Sequence, residues 1–122
     1  MHFWVAALGL AVLPRAVPLT VATFNLLAPC HKSVGARREA EIPRLWRPRA
    51  RALAALLHDE LGDADVIALQ EFWFGDARFA AEFERRLRPA YDLVAARRPG
   101  RADGLALLVR RDALVVEAAW AL

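Results

Sequence analysis

Apolar side chains recur at helical spacing in two stretches of the chain. Across residues 46–61 the large apolar residues return every three or four positions, which predicts an amphipathic helix with Pro48 in its first turn and Gly62 as its stop. A second helix is predicted to begin after Asp76, a capping residue, and to end before Pro89. Its apolar face consists of Phe79, Phe83 and Leu87.

Shorter apolar runs predict strands around these helices. Residues 19–25 are β-branched and half alternating, whereas residues 66–69 form a continuous apolar run typical of a strand buried on both faces. Three more strands are predicted at residues 91–95, 105–109 and 114–118, the last two joined as a hairpin. Residues 29–44 have no sustained period and indicate a long loop. This order of strands and helices predicts an α/β fold.

The first apolar run, residues 3–13, is too short for a membrane-spanning helix, which needs about 20 residues. It has the length of the apolar part of a signal peptide, yet no Lys or Arg precedes it and no clear cleavage site follows. We treat residues 1–18 as an N-terminal extension. A secretory signal, an anchor that touches a membrane through residues 3–13, and a buried segment are open alternatives, so cytoplasmic and secretory localisation are both open.

The composition indicates what class of protein this is, but it does not identify a binding partner. With 122 residues, 57% of them hydrophobic and 25% charged, the chain fits one folded domain and is neither a disordered tail nor a coiled coil. The net charge of +3 says little about nucleic acid, because all but one of the 17 basic residues are Arg and Ala is abundant, as a GC-rich coding sequence produces by itself. A single cysteine, Cys30, and the absence of a Cys/His cluster exclude structural zinc.

Two polar residues stand where predicted strands end. Asn25 closes the strand of residues 19–25, and Glu71 follows the strand of residues 66–69. Open α/β sheets bind ligands beyond the carboxyl ends of their strands, so an amide and a carboxylate meet there if the two strands are neighbours. A single carboxylate suits Mg²⁺, which keeps several waters and binds together with substrate phosphates. Each residue alone has an ordinary alternative, a solvated loop Glu and a turn-forming Asn.

A basic segment and an aromatic cluster add less specific signals. Beside a phosphate site, the basic segment of residues 32–51 can guide an anionic substrate, although a solvated loop is the commoner role for most of its members. Trp73, between two Phe residues, can stack a base or pack in the core. His31 and His58 have no partner at a spacing that indicates catalysis or metal binding. The positive residues of the segment are Lys32, Arg37, Arg38, Arg44, Arg47, Arg49 and Arg51.

Four motifs stand in order along the chain: Thr23-Phe24-Asn25-Leu26-Leu27-Ala28-Pro29, Trp46 with Arg49, Asp65-Val66-Ile67-Ala68-Leu69-Gln70-Glu71, and Asp103-Gly104-Leu105-Ala106. Taken together, they resemble the endonuclease/exonuclease/phosphatase superfamily, nearest its deadenylase-like branch. The likeness covers residues 19–118. The Phe-Trp-Phe after Glu71 and the Arg-x-Asp-Gly-Leu of residues 101–105 are also similar to plant and algal members that carry a calcium-binding region. The sequence has no EF-hand loop, so Ca²⁺ is not expected.

The resemblance implies a four-layer α/β/β/α sandwich, of which residues 19–122 form the first half with one sheet and two helices. It also implies Mg²⁺-dependent hydrolysis, with Mn²⁺ as a substitute and RNA or another phosphoester as substrate. On this basis Asn25 and Glu71 are the expected catalytic residues, Glu71 being the metal ligand and Asn25 the amide beside the scissile phosphate. Asp103 and Gly104 are expected in a loop on the substrate side.

The last part of the chain departs from the family pattern. Family members continue to a second sheet with an Asp-x-Asn pair and a terminal Asp-His pair, whereas no His follows His58 here. We therefore expect a truncated N-terminal portion that is inactive alone, since removing parts of a catalytic unit costs far more than the sum of the parts. The apolar face meant for the second sheet is expected to be exposed and to cause self-association.

Two other functions stay open at the level of sequence. One is a non-catalytic module that holds nucleic acid through residues 32–51, with an affinity that depends on salt rather than on metal. The other is a lipid phosphoesterase, similar to sphingomyelinases or inositol phosphatases, which the apolar N-terminus would favour.

Overall fold

A computed structural model describes residues 6–12 and 18–121 as eight strands, two α-helices and one 3₁₀ turn. The strands are β1 (Ala6–Val12), β2 (Val21–Asn25), β3 (Ser33–Val34), β4 (Arg37–Arg38), β5 (Val66–Trp73), β6 (Tyr91–Arg97), β7 (Asp103–Arg110) and β8 (Leu114–Ala121). The helices are α1 (Pro43–Leu61) and α2 (Ala77–Leu87), and the 3₁₀ turn spans Glu39–Glu41. The α/β class predicted from the sequence is confirmed.

The central sheet has the strand order β2, β5, β7, β6. Strands β2 and β5 run parallel, an arrangement that needs the crossover provided by α1, while β7 is antiparallel to both β5 and β6. In the register, Asn25 lies opposite Gln70 of β5, and Gln70 lies opposite Leu105 of β7. The carboxyl ends of β2 and β5 therefore meet at one edge, which is the condition for Asn25 and Glu71 to come together.

Both helices pack on one face of this sheet and enclose a continuous apolar core. The core joins Trp46 and Leu57 of α1 to Ile67 and Leu69 of β5 and to Phe83 of α2, and none of these side chains is more than 1% exposed. Their burial explains the helical spacing of apolar residues in the sequence, because only the sheet-facing stripe of each helix needs to be apolar.

The opposite surface of the sheet, which we call the open face, is not covered by either helix. Val21, Thr23 and Asn25 alternate with half-buried residues along β2, and Val21 is 69% exposed. Gln70 and Leu105 continue the open face across β5 and β7, because paired residues of neighbouring strands point to the same side. Asn25 lies at the end of the open face.

Helix α1 is longer at its start than the sequence predicted. It begins at Pro43, where the missing proline N–H costs nothing, so Pro48 lies inside the helix rather than in its first turn. Helix α2 is capped as predicted, with the Asp76 carboxylate accepting a hydrogen bond from the N–H of Arg78 at 2.9 Å. Of the two alternatives for Trp73, core packing is observed: its ring is 5% exposed and meets Trp46 edge-on at 5.2 Å.

The predicted hairpin between residues 105–109 and 114–118 is wrong. Strand β8 pairs antiparallel with β1 in a separate two-stranded sheet, and the hairpin in this part of the chain is β6–β7. Because β7 is already bonded to β5 on one side and to β6 on the other, it has no free edge for β8. Residue alternation predicted the strands but carries no information on their partners.

The predicted long loop of residues 29–44 contains short elements. Strands β3 and β4 form a two-residue pairing around Gly35, whose φ of +61° suits a tight turn that glycine adopts without a steric penalty. The 3₁₀ turn follows and buries Glu39, which is 2% exposed. Elements of two or three residues are too short to produce a period, so the sequence did not reveal them.

Part of the N-terminal apolar run lies in β1, over Ala6–Val12. Residues 1–5 and 13–17 lie outside the described residues. Within the described ranges, no helix is both long and apolar enough to cross a membrane. The signal, anchor and membrane-contact alternatives for residues 3–13, and the boundary at residue 18, stay predictions.

Candidate active site

Glu71 occupies a bulge inside β5. The sequence placed it after the strand, but β5 continues to Trp73, and Glu71 is the unpaired residue between two ladder positions of the β5–β7 pairing. Its φ of 55° lies in the left-handed region, which a residue with a Cβ adopts at a cost of about 1–3 kcal/mol. Bulges re-aim side chains and occur often beside active sites, so this one is consistent with a carboxylate placed for function.

The Asn25 and Glu71 side chains are in direct contact. The Asn25 amide Nδ2 donates a hydrogen bond to Glu71 Oε1 at 3.1 Å, although the two residues are 46 positions apart in the chain. The other end of the amide, Oδ1, accepts a hydrogen bond from the N–H of Leu27 at 2.8 Å. Both ends of the Asn25 side chain are therefore fixed, and the structure brings together the two residues singled out from the sequence.

The loop after β2 wraps around the Glu71 carboxylate. The N–H of Ala28 donates to Glu71 Oε2 at 3.1 Å, so each carboxylate oxygen accepts one hydrogen bond from this loop or from Asn25. Leu27, which lies between Asn25 and Ala28 in the chain, has a φ of 52°. It is a second residue other than glycine in the left-handed region. One strained residue bears the carboxylate and the other lies in the loop that binds it, which indicates that the surrounding contacts hold this geometry against its local preference.

Arg49 of α1 holds that loop in place. Its guanidinium donates to the backbone carbonyls of Leu26 at 2.9 Å and Leu27 at 2.7 Å, and to both carboxylate oxygens of Glu39 at 3.0 Å. Burial alone would raise the pKa of Glu39, but the hydrogen bonds and charge of Arg49, with those of Lys32, outweigh it and lower the pKa. Arg49 is thus a positioning residue that connects α1 to the Glu71 site.

Asp103 is buried and already paired. It begins β7, opposite Trp73, instead of lying in the predicted substrate-side loop, and it is 1% exposed. Arg98 Nη2 donates to its two oxygens at 2.7 and 2.6 Å, and His31 Nε2 lies 3.2 Å from Oδ2. Burial would raise the pKa of Asp103, but the hydrogen bonds from Arg98 and His31 and their charges lower it overall.

Gly104 is placed by packing between strands. It lies in β7 opposite Arg97, and a Cβ at this position would overlap the backbone carbonyl oxygen of Ala96 and lie 2.8 Å from the Cα of Arg97. Only glycine allows β6 and β7 to approach this closely. The role of Asp103 and Gly104 on the substrate side stays a prediction, and the groups of this region that face outward are His31 and Arg98.

His31, Arg98 and Cys30 were not identified from the sequence as parts of the site. The turn after Ala28, closed by the N–H of His31 donating to the Ala28 carbonyl at 2.8 Å, brings His31 to Asp103. Burial, followed by the charges of Asp103 and Glu71, raises the pKa of the Cys30 thiol, which keeps it protonated rather than nucleophilic. No spacing rule links residues separated by most of the domain, so only the fold reveals this grouping.

The donor set around Glu71 fits a hard cation. Among the described residues, no group of three or more His, Cys, Asp or Glu side chains could hold a metal ion, which disfavours a site built entirely from protein ligands. Glu71 offers carboxylate oxygens, each with only one protein hydrogen bond, in a fixed position beside an amide. One carboxylate with open positions matches the way Mg²⁺ binds together with waters and substrate phosphates.

Comparison with known proteins assigns the fold that surrounds this pair. The family model described as "Endonuclease/Exonuclease/phosphatase family" matches residues 22–121, a range that contains Asn25, Glu71 and Asp103. The chain belongs to the endonuclease/exonuclease/phosphatase family. This family includes Mg²⁺-dependent nucleases and phosphatases, and its enzymes commonly use divalent metals. The resemblance of the sequence motifs to the superfamily is therefore confirmed.

Two solved structures share the fold of this endonuclease/exonuclease/phosphatase chain. The match to TDP2 from C. elegans has a TM-score of 0.50 and 19% sequence identity, and it covers 76% of this chain and 23% of the TDP2 chain. The match to the endonuclease/exonuclease/phosphatase from Bacteroides vulgatus has a TM-score of 0.51 and 21% sequence identity, and it covers 77% of this chain and 32% of the Bacteroides vulgatus chain. The chain thus corresponds to less than a third of each structure. No curated protein matches it.

Proposed function

We propose that Glu71 and Asn25 form part of the active site of a Mg²⁺-dependent phosphoester hydrolase acting on RNA or a nucleotide. The hydrogen bond of 3.1 Å between Asn25 Nδ2 and Glu71 Oε1, made at the end of the open face, carries this proposal. Membership in a family of nucleases and phosphatases supports the class of reaction.

The proposed roles follow from the contacts. Glu71 is the metal ligand, and Asn25 together with the N–H of Ala28 keeps its carboxylate in one position. When bound, Mg²⁺ supplies the positive charge that stabilises the phosphoryl oxygens. Because Asn25 is exposed at the end of β2, the second hydrogen of its amide Nδ2 can donate to a phosphate oxygen of the substrate while the first stays on Glu71. Mn²⁺, which also prefers oxygen ligands, is expected to substitute.

We also propose that these 122 residues do not hydrolyse phosphoesters by themselves at a measurable rate. Glu71 and Asn25 supply binding and charge stabilisation, but general-base activation of water accounts for about 10²–10⁴-fold of the rate in such reactions. Neither side chain is free for that role, since Glu71 binds the metal and an amide cannot accept a proton.

Titration with Mn²⁺, followed by electron paramagnetic resonance, tests the metal site directly. Glu71→Gln preserves the size of the side chain and removes its charge, so the Mn²⁺ affinity is expected to fall by about tenfold or more. Glu84→Gln, at an exposed position of α2, is the matched control and should bind like the wild-type chain. Equal affinities for the two variants would remove the basis of the proposal.

The ion pairs of the basic segment favour the hydrolase over a non-catalytic nucleic-acid module. Most of the positive residues proposed for such a module already contact a carboxylate of this chain, so they offer an anionic partner less than their number suggests. The pairs are Lys32–Glu39, Arg37–Glu41, Arg49–Glu39 and Arg51–Glu82. RNA binding that persists in EDTA and in Glu71→Gln, and that depends on the segment, would instead support the module.

A further inference from the structure

A buried carboxylate holds two basic side chains at the rim of the site. Asp103 is 1% exposed, while the side chains of Arg98 and His31 that contact it are 43% and 37% exposed. A carboxylate that is removed from water needs such partners, and in return it fixes their positions. The outward-facing parts of Arg98 and His31 are therefore held in place and not merely attached to a flexible surface.

Arg98 has donors left over after this pairing. Its contacts with Asp103 both use Nη2, and within the described residues no acceptor is found for its side-chain Nε or Nη1. The backbone is fixed too, because the N–H of Arg98 donates to the Asp103 carbonyl at 3.0 Å and the Arg98 carbonyl accepts from Arg101 at 3.1 Å. A planar guanidinium with a fixed orientation and open N–H groups is suited to a phosphate group.

This guanidinium borders the Glu71 site. Asp103 pairs with Trp73 in β5, two positions beyond Glu71, and the turn of residues 28–31 connects Glu71 to His31. The pKa of Arg98 is raised, chiefly by its hydrogen bonds to Asp103 and in smaller part by the charge of Glu71. Arg98 thus lies within electrostatic reach of the proposed metal ligand, on the side where β6 and β7 join.

We propose that Arg98 contacts a second phosphate of the substrate, next to the one bound at Glu71, and that Asp103 and His31 position it. This proposal rests on the proposed function and narrows it to substrates that carry more than one phosphate, such as a nucleic acid strand. Phosphate is the chemistry recognised, whether it comes from a nucleic acid backbone or from a phosphorylated lipid headgroup.

Binding of a fluorescein-labelled oligo(A) to the whole chain in EDTA isolates this contact from metal binding. Arg98→Gln is expected to weaken binding by about tenfold and to reduce the salt dependence by about one charge. Arg98→Lys keeps the charge but loses the planar set of guanidinium N–H donors, so it should weaken binding while retaining the salt dependence. Arg111→Gln is the matched control, since Arg111 pairs with Asp92, is 44% exposed and lies past the opposite end of β7. A nucleic acid strand is excluded as the source of the phosphate if Arg98→Gln and Arg111→Gln bind oligo(A) equally.

The Asp103→Asn variant distinguishes binding by a guanidinium in a fixed position from binding by general electrostatic attraction. The variant is more positive by one charge, so unspecific attraction predicts tighter binding, whereas release of Arg98 predicts weaker binding. If Asp103→Asn does not fold, Arg98→Lys at an exposed position makes the same distinction. It leaves the net charge unchanged, so unspecific attraction predicts unchanged binding, whereas loss of the fixed guanidinium predicts weaker binding.

Vesicles of phosphatidylcholine containing phosphatidylinositol phosphate distinguish the two sources of phosphate. Loss of vesicle binding, but not of oligo(A) binding, in Arg98→Lys would assign the contact to a lipid phosphate.

The same variants distinguish the two proposals from each other. Glu71→Gln should lose Mn²⁺ affinity and keep its affinity for oligo(A) in EDTA, and Arg98→Lys should show the reverse. Unchanged Mn²⁺ binding in Glu71→Gln would remove the metal site but leave the phosphate contact standing. Unchanged binding of both oligo(A) and the vesicles in the two Arg98 variants would remove the phosphate contact alone.

Discussion

Glu71 and Leu27 adopt left-handed backbone conformations that their residue types disfavour, with φ values of 55° and 52°. Each costs about 1–3 kcal/mol in isolation, and the contacts of Asn25, Ala28 and Arg49 around them offset that cost. The carboxylate therefore has its position before any ligand arrives, which lowers the conformational entropy lost on binding.

Substitution of Glu71 by glycine measures this strain. Glu71→Gly and Glu71→Ala lose the same carboxylate, but only glycine relieves the left-handed backbone, so Glu71→Gly is expected to be more stable by about 1 kcal/mol in urea unfolding. In the middle of α2 the order should reverse, with Glu84→Gly less stable than Glu84→Ala by about 1 kcal/mol. The same order at both positions would contradict a strained Glu71.

At the scale of single residues, the sequence identified Asn25 and Glu71 because both lie where apolar runs end. It could not identify the bulge at Glu71, since an extra residue in one strand is visible only against its partner strand. The grouping of His31, Arg98 and Asp103 was missed for a related reason. Their contacts depend on β7 pairing with β5 and on the turn after β2, and no local pattern encodes either.

Among the elements, α2 shows how one side chain fixes a boundary. The pKa of Asp76 is lowered to about 2, chiefly by hydrogen bonds from the side chain and the N–H of Arg78. Because the folded pKa lies below the ordinary 3.8, the stabilisation is complete above that value and is lost as the pH falls toward 2. The cap thus contributes fully at neutral pH.

Removal of the cap should therefore have a pH-dependent effect. Asp76→Ala is expected to lower the free energy of unfolding by about 1 kcal/mol at neutral pH, and the difference from wild type should shrink between pH 3.8 and pH 2. Asp76→Asn, which keeps an acceptor for the Arg78 N–H, should lose less stability at neutral pH. Its difference from wild type should change over the same pH range, because Asp76 of the wild type is the group that titrates. Denaturant unfolding monitored by circular dichroism across this pH range is the measurement.

The sequence predicted elements better than it predicted their partners. Periodicity located α1, α2 and β5, since each buries a stripe or a run in the common core. It misjudged where α1 begins, because Pro43 and its neighbours precede the first buried apolar residue, Trp46. The sequence-based prediction paired β8 with β7, although β8 pairs with β1. The backbone N–H and C=O groups of an apolar strand can form hydrogen bonds with any free edge strand, so the sequence pattern does not select the partner.

For the whole molecule, the open face is only partly covered in the described ranges. Leu114 and Val116 of β8 pack on its end at Val66 and Val109, whereas Val21 and Leu105 have no such cover. Val21 is 69% and Leu105 39% exposed there, beside the polar Thr23, Gln70 and Asn25. A sheet face of this kind normally packs on another layer, since two-layer burial is what stabilises a sheet. We therefore expect copies of the chain to associate through the open face.

Sedimentation velocity tests this expectation. The wild-type chain should show species larger than a monomer that increase with concentration, and Val21→Lys combined with Leu105→Lys should shift the distribution toward monomer. Leu56→Lys, at a position of α1 that is 41% exposed and away from the open face, is the control and should behave like wild type. A wild-type chain that is monomeric at all concentrations would contradict the prediction.

The parallel pairing of β2 with β5 also affects when the site can exist. Between these strands lies the whole of α1, so Asn25 and Glu71 meet only after a long loop has closed, and contacts of high sequence separation form slowly. Newly synthesised or partly unfolded chains lack the pair even when their helices are present. Cation affinity would therefore report completed strand pairing and not helix content, and a bound cation would favour the folded state by mass action.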